Sequence, residues 1–106
     1  MNYPMPDSRL PVCFDFDDTL AEAIWPKPGI GAPIREGLDM LKWYQSKGYR
    51  IFIYTGRHWG DQNEIEKFLF YQLGATRSRK IQVICGKPLA GLYVDDRGYR
   101  FEREVT

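Results

Sequence analysis

The sequence predicts a single α/β domain: three layers, with one parallel sheet and helices on both of its faces. Three observations carry this. Four short apolar runs, at 10–15, 49–54, 81–85 and 89–94, have the length of buried strands. Between the first three lie two longer stretches, 33–47 and 61–73, with apolar residues at helical spacing. Strands that alternate with helices are joined by right-handed crossovers, which make neighbouring strands parallel.

A chain of 106 residues holds one domain, 1–106, with room for one modest core. Its hydrophobic share of 43% and its many aromatics suit a globular protein and exclude a disordered one. A net charge of +1 argues against a broad nucleic-acid or anionic-membrane footprint. No apolar run approaches the length that crosses a bilayer, and the N-terminus lacks a basic-then-apolar pattern, so a cytoplasmic protein without membrane partners is expected. Cys13 and Cys85 each lie in an apolar run, with no histidine at zinc spacing. Both are therefore expected to be buried, reduced thiols.

Residues 1–9, with two prolines and few apolar side chains, read as a loose arm. The first strand, 10–15, takes in Leu10-Pro11-Val12-Cys13-Phe14. Segment 21–31 contains Pro26, Pro28, Gly29 and Gly31, which rule out a long helix and leave an irregular loop or small hairpin. Trp25 within it either anchors that loop or belongs to a lid. Pro33 suits the first position of the helix over 33–47, and Gly48 suits its left-handed stop. Ile34, Leu38 and Leu41 form its core stripe, Gly37 and Tyr44 flank it, and Trp43 points away. The strand over 49–54 closes on Thr55-Gly56-Arg57. Asp61 and Glu64 have capping-box spacing at the head of the second helix, 61–73, and Gly74 supplies its stop. Its core face is Ile65, Phe68, Leu69 and Leu73. Phe70 and Tyr71 fall off that face, either as a subunit contact or as two singly exposed aromatics. Residues 75–80 read as a basic, solvated turn. The strand over 81–85 ends at Gly86-Lys87-Pro88, and that over 89–94 at Asp95-Asp96-Arg97. The tail at 99–105 alternates weakly, as an edge strand does.

Each strand thus ends on polar residues. In a parallel sheet the C-terminal strand ends share one edge, where ligands bind. Asp15, Asp17 and Thr19 should meet Thr55, Gly56 and Arg57, Lys87, and Asp95 with Asp96 there. The acidic stretch Asp15-Phe16-Asp17-Asp18 by itself is no more than a polar turn. That four strand ends converge is what a turn does not explain. Clustered carboxylates repel, and a hard divalent cation with oxygen ligands, Mg²⁺ above all, relieves them. The Thr55 hydroxyl, the amides after Asp15 and Thr55, and the Lys87 ammonium suit a phosphate group. Phosphoryl transfer then needs one carboxylate to attack phosphorus, forming an aspartyl phosphate, and a second to protonate the leaving oxygen and afterwards activate water. Asp15 and Asp17, two apart, would share one face of a continued strand.

With these residues in place, nearly the whole chain resembles the haloacid-dehalogenase-like phosphatases. Asp15-Phe16-Asp17-Asp18-Thr19 fits their first motif, Asp-x-Asp-x-Thr; Thr55 fits the second, Lys87 the third and Asp95-Asp96 the acidic fourth. The resemblance implies a Rossmann-like core and a Mg²⁺-dependent phosphomonoesterase. In that family's scheme Asp15 is the nucleophile and a metal ligand, and Asp17 is the general acid/base and binds the metal through its backbone carbonyl. Thr55, Gly56 and Lys87 hold the phosphate, and Asp95 and Asp96 complete the metal site, with the direct ligand of the two left open. Asp17 itself argues for phosphate chemistry, because dehalogenases of the same superfamily lack it.

Thr19 is expected to hold the turn through side chain-to-backbone hydrogen bonds, and Asp18 to face solvent or bond within the turn. Arg57 either touches substrate or pairs with a surface carboxylate. His58, the one histidine, reads as a surface residue, and Arg97 as an ion-pair partner. Thr55 follows Asp15 by 40 positions and Lys87 follows Thr55 by 32, gaps too short for an inserted cap domain. A capless site is open. It admits a large substrate or is covered by a second copy, so a homo-oligomer is one expectation, with Trp43, Phe70 and Tyr71 as its surface. Two rival readings stand beside the phosphatase. One is a nucleic-acid 3′-end phosphatase of the polynucleotide type, with Arg77, Arg79 and Lys80 as a phosphate track. The other is a non-catalytic phosphate- or metal-binding regulatory module, for which Asp17 would be superfluous.

Overall fold

The strands are β1 (Val12–Asp15), β2 (Ile51–Thr55), β3 (Ile81–Cys85), β4 (Leu92–Asp95) and β5 (Gly98–Phe101). They form one five-stranded sheet of order β3-β2-β1-β4-β5 in the computed structural model of the protein. That structure describes residues 3–24, 26–57, 59–85, 90–96 and 98–101. The first four strands are mutually parallel, and β5 returns antiparallel beside β4. The registers align the C-terminal ends: Asp15 pairs with Tyr54, Thr55 with Cys85, and Phe14 with Val94. The chain leaves β1 towards β2 on one side, whereas β4 enters on the other. The strand order therefore reverses at the β1/β4 boundary, which is where open α/β sheets place a ligand crevice.

Three helices connect these strands: α1 (Arg35–Ser46), α2 (Gln62–Leu73) and the single turn α3 (Ala75–Ser78). Two successive right-handed crossovers in the same direction put α1 and α2 on the same face. Packing agrees: Leu38, Leu41 and Tyr44 of α1 and Ile65 and Leu69 of α2 share one buried cluster with Val12, Phe14, Ile51, Ile53, Val83, Leu92 and Val94. The opposite face holds a small cluster of Cys13, Ala90 and Tyr93, with Phe52 and Tyr54 packed partly against it. Helices on both faces were expected, but among the described residues α1 and α2 both pack on this one face. Alternation explains why each strand serves two surfaces, since successive side chains point to opposite sides.

Several local expectations are corrected. Pro33 precedes the helix and forms a bridge with Ala21, and α1 starts only at Arg35. Trp43 does not point away: it packs edge-on against Tyr44 at 5.0 Å and Tyr3 at 5.2 Å. The N-terminal arm is pinned, because the Tyr44 hydroxyl donates to the Pro4 carbonyl at 2.6 Å and the Tyr49 hydroxyl to the Pro6 carbonyl at 2.5 Å. Asp61 makes no capping bond; a one-turn 3₁₀ segment, Trp59–Asp61, leads into α2 instead. Residues 75–78 are helical, not an irregular turn. Gly48 and Gly74 do end their helices with positive φ, +90° and +86°. Cys13 is buried and free, and burial together with the neighbouring Asp15 charge pushes its thiol up to about 12.

Candidate functional site

Phe16 anchors the turn that follows β1. Its ring is fully buried and meets Phe68 of α2 edge-on at 5.3 Å, while the flanking Asp15 and Asp17 stay partly exposed. Three amides, those of Thr19, Leu20 and Ala21, donate to the Phe16 carbonyl at 3.3, 2.9 and 3.3 Å. Asp18 completes the turn in the left-handed region, with φ of 64°, a conformation that Asp and Asn tolerate better than most side chains. Its amide donates to the Ala21 carbonyl at 2.6 Å and its carboxylate accepts from the Ala23 amide at 2.9 Å. It is thus the exposed, turn-bonding residue the sequence suggested. Thr19 is not the brace that was expected. Its hydroxyl is buried and has no hydrogen-bond partner among the described residues, where only its backbone serves the turn.

Asp15 ends β1 with its carboxylate accepting from the Phe16 amide at 2.8 Å. Burial pushes its carboxyl up to about 6 despite that bond, and the charges of Asp17, Asp95 and Asp96 add to the rise. Asp15 therefore feels the other three carboxylates across the β1/β4 boundary. Asp95 closes β4 half-buried, and Asp96 follows it exposed. Thr55, at the end of β2, is buried, and its hydroxyl accepts from the Arg57 amide at 3.0 Å. That leaves its own proton available to an incoming oxygen. Gly56 beside it is exposed, and open space surrounds its Cα. Lys87, His58, Arg97 and Trp25 lie outside the described residues.

Arg57 is the residue whose role the sequence left open, and it ties the site together. Its guanidinium grips both oxygens of Asp17, Nε at 2.9 Å and Nη2 at 2.7 Å. Nη1 donates to the Gly29 carbonyl at 2.9 Å and stands 3.6 Å from Asp61. The guanidinium also lies 5.7 Å from the centre of the Phe16 ring. A bidentate, partly buried pair of this kind is among the stronger polar contacts a protein makes. Asp61 is thereby drawn to Arg57 and not to the head of α2. A cleft of about 640 Å³ opens between the 21–31 loop and the turn after β2, with Asp17 and Arg57 in its wall.

The donor set facing Asp15 is all oxygen, which suits a hard divalent cation such as Mg²⁺; burial raises Asp15 most, and a cation would relieve the carboxylate repulsion that adds to it. Among the described residues no three His, Cys, Asp or Glu side chains are spaced to hold a metal by themselves. Arg77 and its neighbours lie elsewhere. They precede β3, at the opposite edge of the parallel sheet, and Arg77 is engaged with the Lys42 carbonyl at 3.3 Å and Gln45 at 3.2 Å. Among the described residues no helix is long and apolar enough to cross a membrane. No family model, curated protein or solved structure matches this chain.

Proposed function

We propose that the protein is a Mg²⁺-dependent phosphomonoesterase of the capless, haloacid-dehalogenase-like kind. Support comes from one arrangement: Asp15 closes the central strand with Asp95 and Asp96 across the topological switch and Thr55 at the end of the next strand. The Asp15 carboxylate attacks the phosphorus, and the bond to the leaving oxygen breaks. Asp17 gives its proton to that oxygen, then takes one from a water, which attacks the aspartyl phosphate and frees Asp15. The Thr55 hydroxyl and the Gly56 amide hold phosphate oxygens, with Lys87 as the complementary charge. Asp15, the Asp17 carbonyl and Asp95 or Asp96 would hold Mg²⁺, which supplies charge neutralisation on the phosphate. Arg57 orients the Asp17 carboxylate, and one of its two contacts yields when Asp17 carries the proton.

The polynucleotide variant loses support, because its basic track sits at the far edge of the sheet. The test is release of phosphate from p-nitrophenyl phosphate with and without Mg²⁺. Turnover should require the metal and fall at least about a thousandfold in Asp15→Asn, the scale seen when a covalent nucleophile is removed. A folded protein with no turnover under any divalent metal would overturn the reading.

A further inference from the structure

The cleft beside Asp17 borders that carboxylate and is not lined by Asp15. On the phosphatase reading, Asp17 gives its proton to the leaving oxygen, so this cleft is the leaving group's side of the site. Its residues include Asp17, Lys27, Pro28, Gly56, Arg57 and Asp61. Their charges are unequally matched. Arg57 is shared between Asp17 and Asp61. Lys27, among the described residues, has no carboxylate at ion-pair distance.

Lys27 is also carried on a braced backbone. Pro26 and Pro28 fix φ on either side of it. Its amide donates to the Ile24 carbonyl at 2.8 Å, and two residues on, Arg57 holds the Gly29 carbonyl. A pre-set loop orders little on binding and so spends less of the contact's free energy. The two prolines offer no N–H to the cleft, and of its two cationic side chains Arg57 is already held by Asp17 and the Gly29 carbonyl.

We infer that Lys27 is a specificity residue of this same site, and that the leaving group carries a second anion, a carboxylate or a phosphate, which pairs with Lys27 in the cleft. The inference rests on the phosphatase reading for its choice of side. At about 640 Å³ the cleft holds a small molecule, so the substrate is a compact phosphorylated acid or bisphosphate.

Phosphoglycerate and glycerol phosphate test this, because they differ in a carboxylate where the other has a hydroxymethyl. The kcat/KM for phosphoglycerate should exceed that for glycerol phosphate by about three- to fivefold, mostly through KM, as one ion pair to an exposed lysine allows. Lys27→Gln should bring that ratio towards one, and Lys27→Arg should restore most of it. A sugar bisphosphate run in parallel tells a phosphate from a carboxylate as the second anion. Equal rates on phosphoglycerate and glycerol phosphate in the wild type, with no gain from the bisphosphate, would overturn the inference while leaving the phosphatase intact. So would a preference for a 3′-phosphorylated oligonucleotide over every small substrate. If p-nitrophenyl phosphate is not turned over, the phosphatase reading fails, and calorimetry still decides on Lys27. Phosphoglycerate binding that weakens about three- to fivefold in Lys27→Gln supports the anion site, and binding unchanged by that substitution overturns it.

Discussion

Asp15 is stabilised as an acid and destabilised as an anion, because its strand end is buried and faces three more carboxylates. Its folded value of about 6 lies above the ordinary 3.8. The penalty is therefore absent below about pH 4, where folded and unfolded chains are both protonated, grows between about 4 and 6, and is complete above that. Allowing for its partial exposure, this amounts to on the order of 2 kcal/mol. Asp15→Asn should therefore raise the melting temperature in metal-free buffer at pH 7.5 and lose that advantage near pH 4, as read by thermal denaturation across pH; a lower melting temperature at neutral pH would contradict it. Gly37 shows the opposite kind of constraint. A Cβ there would collide with the Thr19 carbonyl oxygen, so the first turn of α1 touches the acidic turn through bare backbone. Gly→Ala inside a helix ordinarily stabilises, yet Gly37→Ala should cost about 3 kcal/mol, since backbone cannot yield as a side chain can. Urea denaturation of that variant reads the sign.

Helix α1 and the arm before β1 depend on each other. Tyr44 and Tyr49 are buried aromatics whose hydroxyls need partners, and Pro4 and Pro6, which have no amide protons to satisfy, present their carbonyls. Tyr3 then closes over Trp43 and Tyr44. Tyr49→Phe should cost about 2 kcal/mol, because the Pro6 carbonyl is left buried without a donor. It should also speed protease cleavage within residues 3–9, and an unchanged cleavage rate would show that the arm is held elsewhere. Helix α2 buries only Ile65 and Leu69 fully, with Phe68 and Leu73 packed partly against the core. Its outer side leaves Phe70 51% and Tyr71 80% exposed, meeting edge-on at 5.9 Å. Trp43, by contrast, is partly buried against Tyr3 and Tyr44 and leaves less of its ring at the surface.

In the molecule as a whole, topology gathers the site. One reversal of strand order brings β1 and β4 together, and their ends carry Asp15 and Asp95 into the same crevice. Folding thus concentrates negative charge at one edge of a chain that is close to neutral, and binding a divalent cation should offset it. Free Mg²⁺ at ten times its dissociation constant would add about 1.4 kcal/mol to stability, some 5–10 °C in a domain this small. That rise should vanish with a chelator and shrink in Asp15→Asn. A melting temperature indifferent to Mg²⁺ would argue against a metal shell on these carboxylates.

The strands, the two long helices, the Gly48 and Gly74 stops and the strand-end placement of Asp15, Thr55 and Asp95 could all be read from the sequence, because they follow from local periodicity and from backbone freedom at single positions. The edge strand β5 showed as weak alternation and was found at 98–101. What escaped was non-local. Nothing in the spacing of Arg57 reveals that it meets Asp17, 40 residues earlier, and Gly29, 28 residues earlier. Asp61 with Glu64 had the spacing of a cap, but a guanidinium nearby offered that carboxylate a charged partner in place of a helix amide. The sequence alone therefore determined which residues stand at strand ends. Only the tertiary structure decided that both long helices share a face, that the N-terminal arm is pinned, and that Arg57 links Asp17 to the loop bearing Lys27. Those outcomes depend on the direction in which each crossover turns and on contacts between residues far apart in the chain, and local pattern encodes neither.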